Sequence, residues 1–171
     1  CWTPWLIPSN PAIAMWATEE SVFHVDANRE LPIFNDARLF SYLGALNGGF
    51  SATLETRKHI RIIERTGGTK ILPGVRSYRA REDAQIRCGQ FLTALFPEVG
   101  WTIRSSTCCY EWTSDYKPIV GRVSGREHVW VCSSFTGGGF KLGPLLGDYM
   151  AQSVTSNEVH EGLAAFDPNR G

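Results

Sequence analysis

The sequence predicts an α+β fold, with a mixed or largely antiparallel sheet of six to eight strands and two main helices. Three observations support this prediction. Short runs of alternating apolar and polar residues recur along the chain, as half-buried strands require. Helical spacing is limited to two segments, Arg79–Phe96 and Gly139–Val154. The sequence Asn47-Gly48-Gly49 between two apolar runs is a strong hairpin signal, which favours antiparallel pairing.

The first half of the chain reads as a succession of short strands. Thr3-Pro4 can start a short helix, because Thr caps helices and Pro suits the first helical position. Alternation and turn residues then predict strands over residues 12–17, 21–25, 38–46, 50–55 and 59–65. Gly67-Gly68 and Pro73-Gly74 interrupt the pattern before the first main helix.

The second half contains both main helices. One stripe of small and apolar side chains runs along the helix Arg79–Phe96, and it consists of Ala84, Cys88, Phe91, Leu92 and Leu95. Pro97 ends this helix, and Cys88 is predicted to be a core residue. Further strands are predicted over residues 101–111, 118–123 and 128–132. The last helix is expected to turn its apolar residues inward, namely Leu142, Leu145, Leu146, Tyr149, Met150 and Val154.

Composition argues against several classes of function. Seventeen basic residues balance seventeen acidic ones, so the net charge does not favour nucleic acid or an anionic membrane as a partner. No apolar run approaches the length of a membrane span, and no signal-peptide pattern opens the sequence. The five cysteines and four histidines show no metal-ligand spacing, so no metal site is predicted. An odd number of cysteines fits a reducing, intracellular compartment better than a disulfide framework.

The stretch Cys132–Leu146 is the strongest candidate for a functional site. An apolar strand ends in small residues, Gly137, Gly138 and Gly139 follow, and a helix then begins. Free N–H groups and the positive end of the helix dipole suit an anionic or electron-rich group at such a junction. Lys141 lies in the first turn, where the dipole does not favour a cation, so a ligand would explain its presence. The alternative is a tight turn followed by a solvated lysine.

The second half of the sequence resembles flavin-dependent amine oxidases of the sarcosine oxidase and amadoriase (fructosyl amino acid oxidase) type, in the D-amino-acid-oxidase-like group. Three motifs carry the resemblance, in order and at family-like spacing. The first is Cys108-Cys109-Tyr110 followed by Asp115 and Pro118–Gly121. The second is Ser134–Lys141, similar to the family's glycine loop before the last helix. The third is the tail Phe166–Arg170. Cys1–Pro4 also looks like the segment that closes the family's dinucleotide-binding domain.

The resemblance implies that this chain is the C-terminal part of a larger two-domain enzyme. Residues 1–100 would supply substrate-domain strands and a helix, and residues 101–171 the flavin-facing segment, in one compact unit. The N-terminal Rossmann fingerprint for FAD does not occur in the sequence, so the partner that holds the pyrophosphate would be the missing N-terminal FAD-binding region. The chain alone is therefore expected to be inactive. The family also implies a cytoplasmic or peroxisomal location.

The resemblance further implies which residues meet the cofactor and the substrate. Gly137, Gly138, Gly139 and Phe140 would lie against the pyrimidine side of the flavin of FAD. Lys141 would anchor the carboxylate of a small-molecule substrate, a secondary amine or N-substituted amino acid. Hydride transfer from its CH–NH bond to the flavin would then give an imine. Cys108 is the candidate for a covalent flavin link, and Cys109 is the adjacent competitor on the opposite face of the strand.

One departure from the family pattern bears on oxygen. In the family, a lysine that follows Gly-Phe or Gly-Leu of a substrate-domain strand is tied to oxygen activation. The matching stretch here, Gly48–Thr53, has no lysine, and the nearest is Lys58. An oxidase, a dehydrogenase and a biosynthetic flavoenzyme therefore stay open as activities. The alternative from another class is a non-catalytic remnant or binding module that keeps the fold without binding FAD by itself.

Overall fold

The computed structural model describes residues 2–7, 13–31, 39–42, 50–64, 68–72 and 74–170. Its helices are α1 (Thr3–Leu6), α2 (Glu82–Leu95) and α3 (Gly139–Ser156), and a 3₁₀ helix follows at Glu161–Phe166. Its strands within these residues are β1 (Met15–Ala27), β2 (Leu39–Tyr42), β3 (Phe50–Leu54), β4 (His59–Glu64), β5 (Thr69–Ile71), β6 (Trp101–Thr113), β7 (Ile119–Arg122) and β8 (Trp130–Ser133).

The strands form two sheets. Strands β2-β3-β4-β1-β5 are neighbours in that order in the larger sheet, and β6 pairs with β1. Strands β7 and β8 form a two-stranded sheet. The β1–β4, β2–β3, β3–β4 and β7–β8 pairs are antiparallel, with Ile62 of β4 opposite both Phe23 of β1 and Ala52 of β3. The predicted α+β class is thereby confirmed. The hairpin signal Asn47-Gly48-Gly49 lies outside the described residues.

The chain divides into two compact units. The first comprises Cys1–Thr18, Lys70–Gly74 and Cys109–Gly171, and the second comprises Glu19–Thr69 and Val75–Cys108. Strands β1 and β6 each have residues in both units. The roles expected for residues 1–100 and 101–171 stay predictions.

The core of the second unit lies between one face of the sheet strands and α2. Phe23, Phe50, Ile62 and Phe91 are almost fully buried, and the rings of Phe50 and Phe91 stack with their centroids 4.5 Å apart. Cys88 on α2 is completely buried, and burial raises the pKa of its thiol to about 12. The prediction that Cys88 is a core residue is confirmed.

Helix α2 is shorter than predicted, because a buried carboxylate holds the segment before it. Glu19 of β1 accepts hydrogen bonds from the backbone N–H of Ser77 (2.9 Å), the Ser77 hydroxyl (2.8 Å) and the backbone N–H of Tyr78 (2.9 Å). The backbone N–H of Arg81 also donates to Ser21 Oγ of β1 (2.9 Å), so the segment stays extended through Arg81 and the helix begins at Glu82 instead of Arg79. Leu95, expected on the buried stripe, is 41% exposed.

The first two predicted strands are one strand. Residues 12–17 and 21–25 were separated by polar residues, yet β1 runs from Met15 to Ala27 without a break. Glu19 and Glu20 within it are both buried, and Glu20 accepts a hydrogen bond of 2.8 Å from the backbone N–H of Gly68. Buried acidic residues inside a strand require such distant partners, which a local pattern does not reveal.

Two apolar clusters form the core of the first unit. One contains Ile13, Ile119, Val123 and Val131. The other joins Val120, Leu146 and Leu163, with Phe135, Leu142, Tyr149, Met150 and Phe166 packed against it. Helix α3 therefore buries a narrower face than predicted, since Leu145 is 53% exposed and Val154 is 51% exposed.

Candidate functional site

The loop between β8 and α3 has an unusual backbone. Ser134, Thr136 and Gly137 have φ angles of 58°, 52° and 76°, in the left-handed region that side chains with a Cβ rarely adopt. A hydrogen bond of 2.7 Å from the backbone N–H of Gly138 to the carbonyl of Phe135 closes the turn. Strain of this kind persists only where the surrounding contacts hold the backbone.

Of the three glycines, Gly137 has the clearest requirement within the chain. A Cβ at this position would lie 2.9 Å from Cε2 and 3.1 Å from Cζ of Tyr110, closer than carbon atoms approach without displacement. At Gly139 the nearest atoms to such a Cβ are those of the Phe135 side chain at 3.4 Å, an ordinary contact. Contacts within the chain therefore explain Gly137 fully and leave Gly139 without a steric requirement.

Helix α3 starts with an open N-terminus. Its N-cap residue is Gly138, which has no side chain to cap the first turn, and the first turn contains no acidic residue. The Phe140 side chain is 100% exposed, and Lys141 next to it is exposed and makes no ion pair with another described residue. The predicted residues Gly137, Gly138, Gly139, Phe140 and Lys141 thus share one surface of the first unit.

The two candidate cysteines are adjacent on β6. Cys108 and Cys109 are both of intermediate burial. Alternation along a strand places Cys108 on the same face as Tyr110 and Cys109 on the same face as the buried Glu111. Cys108 is counted with the second compact unit and Cys109 with the first.

A buried carboxylate, not identified from the sequence, ties three of the family-like segments together. Glu111 is 7% exposed, and its Oε1 accepts a hydrogen bond of 3.1 Å from the backbone N–H of Thr3. Its Oε2 accepts from the hydroxyls of Thr3 (2.8 Å), Ser133 (2.5 Å) and Ser134 (3.1 Å). The Thr3 and Ser133 oxygens are also 2.6 Å apart. Because each hydroxyl carries one hydrogen, one of these two hydroxyls donates to the other while the second donates to Glu111.

The protonation of Glu111 follows from these contacts. Burial acts to raise the pKa of its carboxyl, but the hydrogen bonds from Ser133, Thr3 and Ser134 outweigh burial and hold the pKa below its ordinary value. Glu111 is therefore an ionised acceptor at neutral pH. Sequence reasoning missed it because its partners lie 22 to 108 positions away. The available signal was an acidic residue on the inward face of a predicted strand.

Lys70, and not Lys58, stands two positions after a glycine at the start of a strand. Lys70 lies on β5, and Gly68 directly precedes that strand. The Lys70 Nζ lies 5.0 Å from the ring centroid of Trp16. An exposed cation over an indole face gains about 0.5–1 kcal/mol.

A second carboxylate of the first unit fixes the tail. Arg170 donates from Nε to Asp115 Oδ2 (2.8 Å) and from Nη2 to Asp115 Oδ1 (3.0 Å), a bidentate pair. Hydrogen bonding to Arg170 holds the pKa of Asp115 well below its usual range. The acidic turn and the terminal arginine, two parts of the family-like pattern, are thus in direct contact.

Comparison with known proteins gives these features a family context. Residues 2–153 match the model of the DAO family, described as FAD dependent oxidoreductase. The chain belongs to this family of FAD-dependent oxidoreductases. The match includes α1, both candidate cysteines, the glycine loop and most of α3.

Curated relatives of this FAD-dependent oxidoreductase family member include N-methyl-L-tryptophan oxidases of Salmonella enteritidis and Salmonella typhi. Each is 31% identical to the chain over 80 residues, which is 47% of the chain and 22% of the relative. The matched region of the chain thus spans about a fifth of the length of these relatives.

Solved structures show the same fold. Glycine oxidase from Geobacillus kaustophilus matches 99% of the chain with a TM-score of 0.72 at 18% identity, and L-proline dehydrogenase from P. horikoshii matches 92% with a TM-score of 0.72 at 16% identity. Amadoriase I from Aspergillus fumigatus matches 88% with a TM-score of 0.65 at 16% identity. The chain covers 42%, 40% and 37% of these structures, respectively.

Among the described residues, no helix combines the length and apolar character needed to span a membrane.

Proposed function

We propose that this chain forms the flavin- and substrate-facing part of an FAD-dependent enzyme that oxidises the CH–NH bond of an amine or amino acid. The family match supports the flavin, and the relatives are named for nitrogen-containing substrates: N-methyl-L-tryptophan, glycine and L-proline. The observation that carries the proposal is the surface at the start of α3. There a helix N-terminus without a side-chain cap adjoins a fully exposed Phe140 and a Lys141 that makes no ion pair with another described residue.

The residues at this surface fit a flavin ring. The first-turn N–H groups of α3 lack a side-chain cap, and the dipole adds partial positive charge, so the junction stabilises an electron-rich ring edge. Gly139 has no steric requirement within the chain, so its missing Cβ leaves room for an outside group to approach. Bound FAD would supply the two-electron acceptor that converts a CH–NH bond into an imine.

The uncovered face of α3 supports a missing partner region. Phe140 and Val154 expose large apolar side chains on the side of α3 that carries Gly143 and Gly147, where an added Cβ would meet nothing within 4 Å among the described residues. An apolar face of this extent is normally covered. The upstream FAD-binding region of a longer protein would cover it and supply the pyrophosphate site, in keeping with the 37–42% coverage of the solved structures.

Lys141 is proposed to bind the substrate carboxylate. Its ammonium group is exposed and makes no ion pair with another described residue, so a substrate anion would not have to displace an internal partner. A charge-assisted hydrogen bond contributes about 1.5–3 kcal/mol, so Lys141→Met should raise KM for carboxylate substrates by roughly 10- to 100-fold. Lys58→Met, at another exposed lysine, is the matched control and should leave KM unchanged.

Cys108 is proposed as the covalent flavin link. Cys108 shares a strand face with Tyr110, the ring on which the glycine loop packs. Its thiol would hold bound FAD through a thioether to the 8α-methyl carbon, with oxygen as the oxidant that takes up the hydrogen lost by the thiol and the hydrogen lost by the methyl group. Flavin colour that stays with acid-precipitated protein would support the link. Cys108→Ser should release the colour, whereas Cys109→Ser should retain it.

Lys70 is proposed as the cation tied to oxygen. The stretch Phe50–Thr53 contains no lysine, whereas Lys70 lies on a strand that Gly68 directly precedes, and its Nζ lies over the Trp16 ring. Lys70→Met should slow reoxidation of the reduced protein by oxygen while anaerobic reduction by substrate keeps its rate. Equal reoxidation rates in the variant and the wild type would show that Lys70 is not this cation.

The decisive experiment uses the full-length protein that contains this chain. It should purify with bound FAD, and anaerobic addition of glycine, L-proline, N-methyl amino acids or fructosyl amino acids should bleach the flavin for at least one of them. A full-length protein that is colourless after it has been mixed with FAD and separated from unbound FAD would contradict the proposal and favour the non-catalytic binding module.

A further inference from the structure

We propose that Glu111 is a positioning residue that holds the loop Ser134–Gly138 in its strained shape and thereby aims the N-terminus of α3 at the bound ring. This inference rests on the function proposed above. Glu111 itself faces away from Tyr110, because the two are consecutive residues of β6. It therefore acts on a ligand through the loop and not by contact.

The loop is held at both ends by consecutive residues of one strand. At its start, the Ser134 hydroxyl donates to Glu111 Oε2 at 3.1 Å, and Ser133 before it donates to the same oxygen at 2.5 Å. At its end, Gly137 lies against the ring of Tyr110, with space for no further atom. β6 thus fixes where the loop leaves β8 and where it enters α3.

The backbone of the loop needs such a restraint. Ser134 and Thr136 are non-glycine residues with φ of 58° and 52°. Their own hydrogen bond, from Thr136 Oγ1 to the Ser134 carbonyl at 3.3 Å, is long and lies within the loop. Left-handed conformations are unfavourable for such residues, so the loop would relax if its outside contacts were lost.

An ionised carboxylate suits this task better than an amide would. The carboxylate of Glu111 accepts hydrogen bonds that arrive from two distant segments, and it has no hydrogen to donate. An amide offers only one acceptor oxygen. Its NH₂ group would face either the Thr3 N–H, which cannot accept, or hydroxyl groups that would have to turn from donors into acceptors. Glu111→Gln therefore keeps the volume and weakens the hold on Ser133 and Ser134.

The test compares Glu111→Gln with Asp115→Asn in the full-length, FAD-loaded protein. Both remove one carboxylate charge of the same unit, but Asp115 binds Arg170 of the tail and not the loop. Glu111→Gln should shift the visible absorption band of the bound flavin and make its reduction potential more negative, because the helix N-terminus no longer stabilises the reduced ring. Asp115→Asn should lower only the midpoint of urea unfolding.

Two further variants keep the inference open to refutation if Glu111→Gln does not fold. Ser134→Ala deletes one hydroxyl and should shift band and potential in the same direction by a smaller amount. Ser134→Gly deletes the same hydroxyl but removes the cost of the left-handed backbone, so it should fold and show a smaller spectral shift than Ser134→Ala. Flavin properties equal to wild type in these variants, with only a lower unfolding midpoint, would make Glu111 purely structural. A wild-type protein that binds no FAD would instead overturn the proposed function.

Discussion

Replacement of Gly137 by alanine tests the geometry of the loop most directly. The residue has a φ of 76°, and an added Cβ would lie 2.9 Å from Tyr110 Cε2. The left-handed backbone costs an alanine about 1–2 kcal/mol, and forcing the ring aside adds about 1–3 kcal/mol, as overpacking does. Together we expect a loss of about 2–5 kcal/mol in the free energy of unfolding, a large part of the stability of a domain.

Gly125 provides the matched control for this substitution. Its φ is 70°, nearly that of Gly137, but an added Cβ would meet nothing within 4 Å. Gly125→Ala should therefore lose only the backbone part, about 1–2 kcal/mol. Urea unfolding followed by tryptophan fluorescence measures both variants, provided that the slope m stays constant.

The background Tyr110→Ala separates the two contributions further. Without the ring, Gly137→Ala should cost no more than Gly125→Ala, so the two substitutions couple by about 1–3 kcal/mol. Tyr110→Phe should give no such relief, because the closest atom is a ring carbon and not the hydroxyl oxygen. If Gly137→Ala and Gly125→Ala cost the same in the wild-type background, the loop does not pack on Tyr110 and the reasoning is refuted.

Two further predictions concern pH and the core. The pKa of Asp115 is depressed by Arg170, so the stability from this pair is present above the unfolded pKa of about 4 and is lost as pH falls through the lower, folded pKa. The free energy of unfolding in urea should therefore differ between wild type and Arg170→Met by an amount that is constant above about pH 5 and shrinks below it. A difference that grows on acidification would contradict the pairing. Phe91→Ala should lower the free energy of unfolding by about 3–5 kcal/mol, because Phe91 is 2% exposed and stacks on Phe50. Ile86→Ala on the 56% exposed side of the same helix should cost under about 1 kcal/mol, and equal losses would place α2 in the wrong orientation.

Elements with a strong period were predictable from the sequence, and their ends were not. The α2 stripe of Ala84, Cys88, Phe91 and Leu92 is buried as the spacing indicated. The start of α2 was misjudged because Glu19, on a strand far along the sequence, binds the backbone of residues 77 and 78. In the same way β1 was divided in two, since nothing local shows that its acidic residues find donors elsewhere.

The candidate site divides along similar lines. The glycine loop, Lys141 and the two cysteines are contiguous motifs, so their presence could be read from the sequence together with the family they resemble. The need for glycine at position 137 could not, because it depends on the ring of Tyr110 and on a φ of 76°. The choice of Cys108 over Cys109 stays a prediction.

The sequence by itself determined the α+β class, the two main helices, the order of the motifs and the flavoprotein family, because each depends on residues that are close along the chain. Only the tertiary structure decided that Glu111 joins Thr3, Ser133 and Ser134, and that Lys70 lies over the ring of Trp16. The physical reason is that a buried carboxylate needs donors from wherever the fold brings them, and side-chain donors leave no periodic trace in a sequence.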